Sequence, residues 1–391
     1  MICIFKRDSV LAVTLNDTLL NWGSAPNPAG GIELLRIFYY LSGYISHCIA
    51  GLDYVNCLKQ SGHTLCVVHP ESGAPADLLP AGEQEDFARK AELVILHEDP
   101  AVYPAIYAQW PFLKEKRVVG YVAWENEILN RCLTDPLQLV SEVWTCSDFC
   151  RSAISPHVRK CSVLPHLVQR GAFNQEDARW VKNFLRAIKS KGQEEEFIFL
   201  SVVDAVNPRK NLQGLLTAFN LLLRGSRRPV RLLLKQYRME MKLDKLERVS
   251  SLAENLSKGR MNALYALCDA YVSAHHAEGW GMGLSSAMAF GKPVIATGYS
   301  GNMHYMNAEN SLPVPYVLAP VSDAMLKLCY PLFTRDMRWA DPDLTQMAAA
   351  MRKVAEKRFD AALPRKAAAI TGLFGPEKIK NRLNELLESS E

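Results

Sequence analysis

The sequence predicts an α/β protein with parallel sheets, divided into two domains. Short apolar runs alternate with stretches of helical periodicity along the whole chain. Two such strand–turn–helix series are separated by a polar, charged stretch at residues 169–196. The length of 391 residues and an apolar content of 49% allow two domains with a core each.

The first series contains the apolar runs that we expect to form buried strands. They are residues 34–40, 64–69, 92–97, 117–124, 142–146 and 161–165. Helical stretches lie between them, among them 44–59 and 148–154. A strand, the turn at 42–44 and a helix are how a Rossmann-type unit begins. Residues 1–30 contain a further strand-like run and a Pro/Gly-rich loop, to which we assign no role.

The second series begins after the polar stretch, in which we place the boundary between residues 175 and 176. An amphipathic segment at 180–188 interrupts this stretch. The expected strands that follow are residues 197–203, 231–235, 270–274, 293–297 and 312–317. The helix after Asn211 has an apolar stripe formed by Leu212, Leu215, Leu216, Phe219 and Leu222. A C-terminal helix from Pro376 has another, formed by Ile379, Leu383, Leu386 and Leu387.

The net charge and the cysteine spacing argue against a nucleic-acid-binding protein, a disulfide scaffold and a zinc protein. A net charge of +4 gives only modest long-range attraction to anions, and we predict no nucleic-acid partner. The ten cysteines show no disulfide or zinc pattern, since Cys146 and Cys150 form C-x3-C without a second pair. We expect reduced thiols in a cytoplasmic protein without a signal peptide or a bound metal. A peripheral contact with the inner face of a membrane and the oligomeric state stay open.

A glycine-rich loop after residue 277 predicts a site for a phosphorylated ligand. Gly279, Gly281 and Gly283 allow the backbone to approach a ligand closely, although such glycines can also mark only a tight turn. The helix expected at 284–290 directs its first N–H groups at a phosphate, and Glu278 can hold a hydroxyl. The other residues that we expect to contact this ligand are His275, Trp280, Met282, Leu284, Ser286, Gly301 and Asn302.

Two cations precede the first helix of the second series. Arg209 and Lys210 follow a predicted strand and stand just before that helix. Cations at a helix N-terminus, at the carboxyl edge of a sheet, form an anion site. The alternative is a solvated pair that caps a loop.

The Arg209-Lys210-Asn211 run, the Glu278 loop and the turn at 297–302 resemble the donor site of family 4 glycosyltransferases, which have the GT-B fold. The resemblance is dense over residues 197–352. It implies two Rossmann-like domains that face each other across a cleft, and a C-terminal helix that crosses back. The first domain would then comprise residues 1–175 with 370–391, and the second, residues 176–369, would hold a nucleotide-diphosphate sugar. For catalysis it implies that Lys210, with Arg209, neutralises the diphosphate and that Glu278 holds a sugar hydroxyl.

The sequence departs from the family pattern at three positions. Ser286 stands where a second glutamate usually binds the ribose hydroxyls, and His304 stands where the subgroup often has aspartate. Ala205 replaces part of a Gly-Arg pair. Three explanations of Ser286 are open: another group supplies the missing contact, the donor differs, or catalysis is lost.

The resemblance assigns the acceptor to the first domain. His97 and Glu98 close one predicted strand, and Trp124 and Glu125 end the next. Ligands meet open α/β sheets at such strand ends. The remaining acceptor candidates, at the first strand–helix turn, are Gly43, Tyr44 and His47. For each of them a helix cap or an interdomain contact is the alternative.

The sequence thus favours a glycosyltransferase, most simply a hexosyltransferase of polysaccharide biosynthesis, and the resemblance to family 4 implies that it retains the configuration of the transferred sugar. A nucleotide-diphosphate sugar would be its co-substrate, and a glycan, lipid-linked or protein acceptor its second substrate, without a further cofactor. One rival is a non-catalytic GT-B relative that acts as a binding or scaffold partner. The other is a sugar-nucleotide epimerase with the same fold, which the motifs after residue 197 fit less well.

Overall fold

A computed structural model describes residues 34–69, 81–190, 195–243 and 245–389. They form two compact units, one ending at Leu167 and completed by the segment from Phe374, the other spanning Val168–Leu373. The strand-like run expected within residues 1–30 lies outside the described residues. In the part of the chain that is described, no helix has the length and apolar character needed to cross a membrane.

The first unit is built on a six-stranded parallel sheet. Its strands are β1 (Arg36–Leu41), β2 (Thr64–Val68), β3 (Leu93–His97), β4 (Arg117–Val122), β5 (Glu142–Thr145) and β6 (Cys161–Val163). Its helices are α1 (Ile45–Gln60), α2 (Ala81–Lys90), α3 (Tyr103–Gln109), α4 (Arg131–Leu137) and α5 (Asp148–Ile154). Short 3-10 turns occupy Pro100–Val102, Pro111–Glu115 and Ser155–His157. The spatial order of the strands is β2-β1-β3-β4-β5-β6, with every neighbouring pair parallel.

The second unit has its own six-stranded parallel sheet. Its strands are β7 (Phe197–Val203), β8 (Val230–Gln236), β9 (Val249–Leu252), β10 (Ala270–Ser273), β11 (Val294–Thr297) and β12 (Leu312–Val314). Its first helices are α6 (Gln175–Ile188), α7 (Leu212–Leu223), α8 (Lys258–Leu267), α9 (Met282–Ala289), α10 (Asp323–Leu328), α11 (Leu344–Ala355) and α12 (Leu363–Ala368). Helix α13 (Ile370–Phe374) contains the boundary between the units. An antiparallel pair, β13 (Tyr316–Pro320) and β14 (Arg338–Pro342), is added to this unit.

The order of the second sheet, β12-β11-β10-β7-β8-β9, creates a switch point. The chain proceeds from β7 to β8 and β9 on one side, and then returns to place β10 on the other side of β7. At such a point the loops after two adjacent strands diverge and leave a crevice for a ligand at their carboxyl ends. In the first sheet the equivalent point lies between β1 and β3.

Apolar burial explains why these elements form. The predicted stripe of α7 packs with β7 and β8 into one core, in which Leu215, Phe219 and Leu222 are almost fully buried. Helix α14 (Pro376–Glu388) buries its own stripe in the first unit. The Ser61 hydroxyl donates to Asn384 Oδ1 over 3.0 Å, and Arg382 Nε donates to the carbonyl of Val163 over 3.1 Å.

Two boundaries differ from the expectation. The second unit begins at Val168 rather than at residue 176, because the connecting segment packs on it. Arg170 lies over the Phe290 ring at 5.6 Å, and Asn262 Nδ2 donates to the Ala172 carbonyl over 2.9 Å. The run expected as one strand at 312–317 is divided into β12 and β13 at Pro315. Strand β9, with the sequence VSSL, has too few apolar residues to be predicted.

Candidate functional site

The candidate site lies at the switch point of the second sheet. The segment after β7 supplies Arg209 and Lys210, which stand at the end of the 3-10 turn Pro208–Lys210. Asn207 caps this turn by accepting from the Arg209 N–H. Asn211 follows in a left-handed conformation, with φ of 49°, and caps α7 through its side chain. Two adjoining caps therefore fix the backbone that carries both cations.

Glu278, in the segment after β10, meets both cations. Lys210 Nζ donates to Glu278 Oε1 over 2.6 Å, and Arg209 NH1 donates to Oε2 over 3.2 Å. Arg209 NH1 also donates to the carbonyl of Ala277 over 2.7 Å. The two cations and one carboxylate leave a formal charge of +1, and all three side chains are largely buried.

The Glu278 carboxylate is held ionised. Its burial acts to raise its pKa, but the opposing charges of Lys210 and Arg209 outweigh that effect and lower the pKa to about 2. The backbone is held as well, since the Glu278 N–H donates to Ser300 Oγ over 2.8 Å. The carbonyl of Glu278 accepts from the Gly301 N–H over 2.8 Å. At neutral pH this side chain therefore accepts hydrogen bonds and carries no proton to donate.

The glycine-rich loop leads directly into α9. Gly281 has φ of +87° and forms the N-cap of the helix without a side-chain cap. The first N–H groups of a helix, here those of Met282 and Gly283, have no acceptor within the helix. Helix α9 begins two residues earlier than predicted, so Leu284 lies within its first turn. The loop therefore presents a helix N-terminus beside the Glu278 cluster, as an anion site requires.

Close packing holds the loop in place. A Cβ on Gly301 would stand 1.8 Å from the carbonyl oxygen of Gly279, so only glycine fits there. The Trp280 indole is buried and donates to Ser285 Oγ over 3.1 Å. The Tyr305 hydroxyl donates to the carbonyls of Trp280 and Gly281 over 2.8 and 2.9 Å.

His275 belongs to a buried network beneath the loop. Its Nδ1 lies 3.0 Å from Ser273 Oγ, and its Nε2 lies 3.1 Å from Asn302 Oδ1. Asn302 Nδ2 in turn donates to the carbonyl of Thr297, whose hydroxyl donates to the carbonyl of His275. Burial lowers the pKa of His275 to about 4, so the ring is neutral at neutral pH. Both His275 and Asn302 therefore brace the loop from within the protein.

Ser286 lies one turn into α9 and bonds to a tyrosine. The buried phenol of Tyr265 is hydrogen bonded to the Ser286 side chain. Nearby, the Tyr271 hydroxyl lies so close to Gly283 that a Cβ there would stand 2.3 Å from it. Two phenols thus underlie the face of α9 that Gly283 and Ser286 share.

Two other histidines contact the same region. The ring of His276 stacks on that of Trp339, with centroids 4.3 Å apart. The backbone N–H of His276 donates to the carbonyl of Arg209. It thereby links the β14 strand to the cation segment. The ring of His304 lies 5.7 Å from that of Trp280.

In the first unit, the candidates at the first turn gather at the switch point of the sheet. The Glu98 carboxylate accepts from the Ser42 hydroxyl over 2.9 Å and from the Gly43 N–H over 3.2 Å. It is 5% exposed and holds the turn into α1. Tyr44, at the N-cap of α1, is 40% exposed, and its ring lies 6.0 Å from that of His47.

His97 is a core side chain. It is 1% exposed, and its Nδ1 lies 2.9 Å from the Tyr39 hydroxyl. Its ring lies 4.2 Å from that of Tyr121, and burial lowers its pKa well below the usual value. The structure therefore gives His97 and Glu98 bracing contacts inside the unit rather than an exposed surface.

Trp124 and Glu125 lie after the neighbouring strand, β4. The buried Trp124 indole donates to the carbonyl of Ile128 over 2.9 Å. Glu125 is half-buried, and its charge adds to burial in raising the pKa of Asp99 to about 6. Of the predicted acceptor residues, Tyr44 and Glu125 are thus among those with side chains that reach solvent.

Sequence reasoning missed several polar groups of the second site. They are Asp204, Tyr237, Tyr265 and Tyr271. The position of Asp204 directly after a strand was a usable signal. Tyr265 and Tyr271 stand among apolar neighbours in the sequence, whereas Tyr237 stands among polar ones. Among the described residues, no group of three or more His, Cys, Asp or Glu side chains is arranged to hold a metal ion.

Comparisons with known proteins agree with this architecture. Residues 183–325 match the family model described as glycosyl transferases group 1. No curated protein sequence matches the chain.

Solved structures match over most of the chain. HepE of Anabaena, in complex with UDP and glucose, has a TM-score of 0.61 at 16% identity, over 90% of this chain and 99% of its own. Sucrose-phosphate synthase of Thermosynechococcus elongatus has a TM-score of 0.63 at 14% identity, over 90% and 98%. The N-terminal domain of trehalose-6-phosphate phosphatase of Candida albicans has a TM-score of 0.58 at 9% identity, over 94% and 100%.

At these identities the solved structures establish the fold, and the family model identifies the domain. The predicted GT-B fold and the predicted resemblance to glycosyltransferases are both confirmed. The chain carries a glycosyl transferases group 1 domain, the domain of a glycosyltransferase enzyme, on a GT-B fold.

Proposed function

We propose that this protein transfers a sugar from a nucleoside diphosphate sugar to an acceptor hydroxyl, with retention at the anomeric carbon. The observation that carries the proposal is the meeting of Arg209, Lys210 and Glu278 beside the N-terminus of α9. UDP is the first nucleotide to test, because the HepE structures contain UDP with glucose or UDP-glucose.

The cluster is placed to stabilise the negative charge that develops on the departing phosphate during sugar transfer. The bond between the anomeric carbon and the β-phosphate oxygen breaks, and its electron pair stays on the phosphate. Lys210, Arg209 and the N–H groups of α9 would stabilise that charge by their fixed positions. The acceptor oxygen bonds to the anomeric carbon, and its proton passes to the departing phosphate, so the protein need not supply a strong base.

The ion pair and ligand binding are compatible. A lysine ammonium has three donors, so Lys210 can keep its bond to Glu278 and still donate to a phosphate oxygen. The formal charge of +1 on the cluster favours an incoming diphosphate. Glu278, which stays ionised, would accept a hydrogen bond from a hydroxyl of the transferred sugar.

The acceptor would be a glycan, a lipid-linked sugar or a protein, and the first unit would bind it. The exposed Tyr44 side chain and the half-buried Glu125 would be its first contacts. A metal is not required in this scheme, because the two cations take its place.

A second candidate function is that of a non-catalytic GT-B relative that acts as a binding or scaffold partner, and one observation favours it. The Ser286 side chain is engaged by Tyr265 within the protein. Replacing Ser286 with glutamate separates the candidates. A large gain in nucleotide affinity would indicate a decayed site, whereas a loss would indicate that the serine is adapted to its ligand.

The test of the main proposal is calorimetric titration with UDP, GDP, ADP, dTDP and their sugar conjugates, followed by turnover assays. We expect one of these nucleotides to bind with micromolar affinity. Lys210→Ala should then lower turnover by about 10²–10³-fold with the fold intact, because a placed charge is lost. The matched control is Lys366→Ala, which removes an exposed lysine paired with Asp360 and should change little. Near-normal turnover by Lys210→Ala would refute the assignment.

A further inference from the structure

A second buried carboxylate, that of Asp204, lies at the same switch point. Asp204 directly follows β7 and is 1% exposed. Its Oδ2 accepts from Arg238 NH1 over 2.8 Å, whereas its Oδ1 is buried and has no hydrogen-bond partner among the described residues. A buried acceptor without a donor is uncommon in native structures and calls for a ligand or an ordered water.

The sheet register places Asp204 beside Tyr237. Val203 and Gln236 are the last paired residues of β7 and β8, so the next residue on each strand, Asp204 and Tyr237, lie side by side. The Tyr271 hydroxyl accepts from the Val202 N–H, and a Cβ on Gly283 would stand 2.3 Å from the same hydroxyl. The start of α9 therefore lies beside this end of β7.

The same charges act on both of these groups. Burial raises the pKa of Asp204, and the charge of Arg238, the backbone N–H of Val206 and the charges of Lys210 and Arg209 oppose that rise. Burial likewise raises the pKa of Tyr237, and the charges of Lys210, Asp204, Glu278 and Arg209 all act on its phenol. The two cations therefore have a carboxylate on either side, Glu278 after β10 and Asp204 after β7.

An unpaired carboxylate oxygen accepts hydrogen bonds, and this limits which groups of a ligand can bind to it. A phosphate oxygen is an acceptor and would be repelled, while a hydroxyl donates and would be bound. A nucleoside diphosphate sugar has hydroxyls at both ends of its diphosphate, on the ribose and on the transferred sugar. With the diphosphate at the two cations, one carboxylate is available for each end.

We propose that Asp204 Oδ1 accepts a hydrogen bond from a ribose hydroxyl of the bound nucleoside diphosphate, and so makes the site selective for ribonucleotides. This rests on the proposed function, in which Glu278 holds the transferred sugar. Ser286 is thereby relieved of this contact, in keeping with its bond to Tyr265.

The test compares four probes by calorimetry: UDP, 2′,3′-dideoxy-UDP, UDP-glucose and pyrophosphate. The wild-type protein should bind UDP roughly 10- to 100-fold more tightly than the dideoxy analogue, the range expected of a charged hydrogen bond. Asp204→Asn should lower that ratio, because a neutral amide oxygen accepts a weaker hydrogen bond than a carboxylate, and should leave pyrophosphate binding equal or tighter. Asp269→Asn, which alters a carboxylate that accepts from the Ile198 N–H at the opposite edge of the sheet, is the matched control and should preserve the ratio. If thermal melting shows that Asp204→Asn is unfolded, Asp204→Ser is used in its place.

Each other outcome overturns the inference. An unchanged ratio in Asp204→Asn would mean that only water meets Oδ1. A loss confined to the preference for UDP-glucose over UDP would assign Asp204 to the transferred sugar. Equally weakened pyrophosphate binding would indicate a structural role. If the wild-type protein binds neither these probes nor any other nucleoside diphosphate, the proposed function fails and this inference fails with it. If it binds another nucleoside diphosphate instead, that nucleotide and its dideoxy analogue replace the uridine probes. The other results leave the proposed function standing.

Discussion

Replacing Glu278 with glutamine should destabilise the second unit. The change leaves the geometry of the side chain almost intact but removes the negative charge that Arg209 and Lys210 share. Both cations would then be largely buried without their carboxylate, which is costly in a region of low dielectric.

The shift in the pKa of Glu278 gives the magnitude. A fall from 4.5 to about 2 corresponds to about 3 kcal/mol of folding free energy at pH 7. Because the folded-state pKa is depressed, this contribution is fully present above the unfolded-state value and is lost as the pH falls through the folded-state value. Near pH 3 only about 1–1.5 kcal/mol should remain.

The assay is urea denaturation of the wild type and Glu278→Gln between pH 7 and pH 3. Two compact units can unfold in separate steps, so the fit must allow two transitions. The matched control is Glu309→Gln, an exposed acid of the same unit, which should shift stability by less than ~0.5 kcal/mol. A loss below ~1 kcal/mol at pH 7, or a difference that does not shrink toward pH 3, would refute the reasoning.

Two further predictions concern the loop and the network beneath it. Gly301→Ala should destabilise the protein by more than the ~1–3 kcal/mol typical of an overpacked core, because its Cβ would collide with the backbone of Gly279. Gly372→Ala, with open space around the new Cβ, is the control and should be nearly neutral. Equal melting temperatures of the two variants would contradict this prediction. The ring of His275, with a pKa of about 4, should stay neutral at pH 5.5 in nitrogen NMR, and a ring that protonates near pH 6.5 would contradict its burial. Since its folded-state pKa is lowered, His275 should destabilise the fold progressively as the pH falls from about 6.5 toward 4.

Most of the architecture followed from local pattern. Apolar runs located the strands of both sheets except β9, whose two serines hide it. The helix at Asp148–Ile154 was predicted with its observed bounds, and Ser147 forms its N-cap. The division at Pro315 and the pairing of β13 with β14 depend on contacts between distant segments, which no local period encodes.

The candidate acceptor residues show where sequence reasoning stopped. His97 ends a buried strand as expected, but its ring lies in an aromatic core with Tyr39 and Tyr121. A strand end predicts nearness to a ligand edge and not the direction in which a side chain points. Glu98 likewise turned out to bond the turn into α1.

The sequence by itself determined the two α/β halves, the glycine loop before a helix and the cations before another, since each depends on residues close together in the chain. Only the tertiary structure decided that Lys210 and Glu278, 68 positions apart, form an ion pair. It also decided that Asp204 retains, beside them, a buried oxygen for which the described part of the chain supplies no hydrogen-bond partner. The reason is physical: backbone conformation and burial follow local periodicity, whereas the pairing of charges depends on which strand ends the sheet order brings side by side.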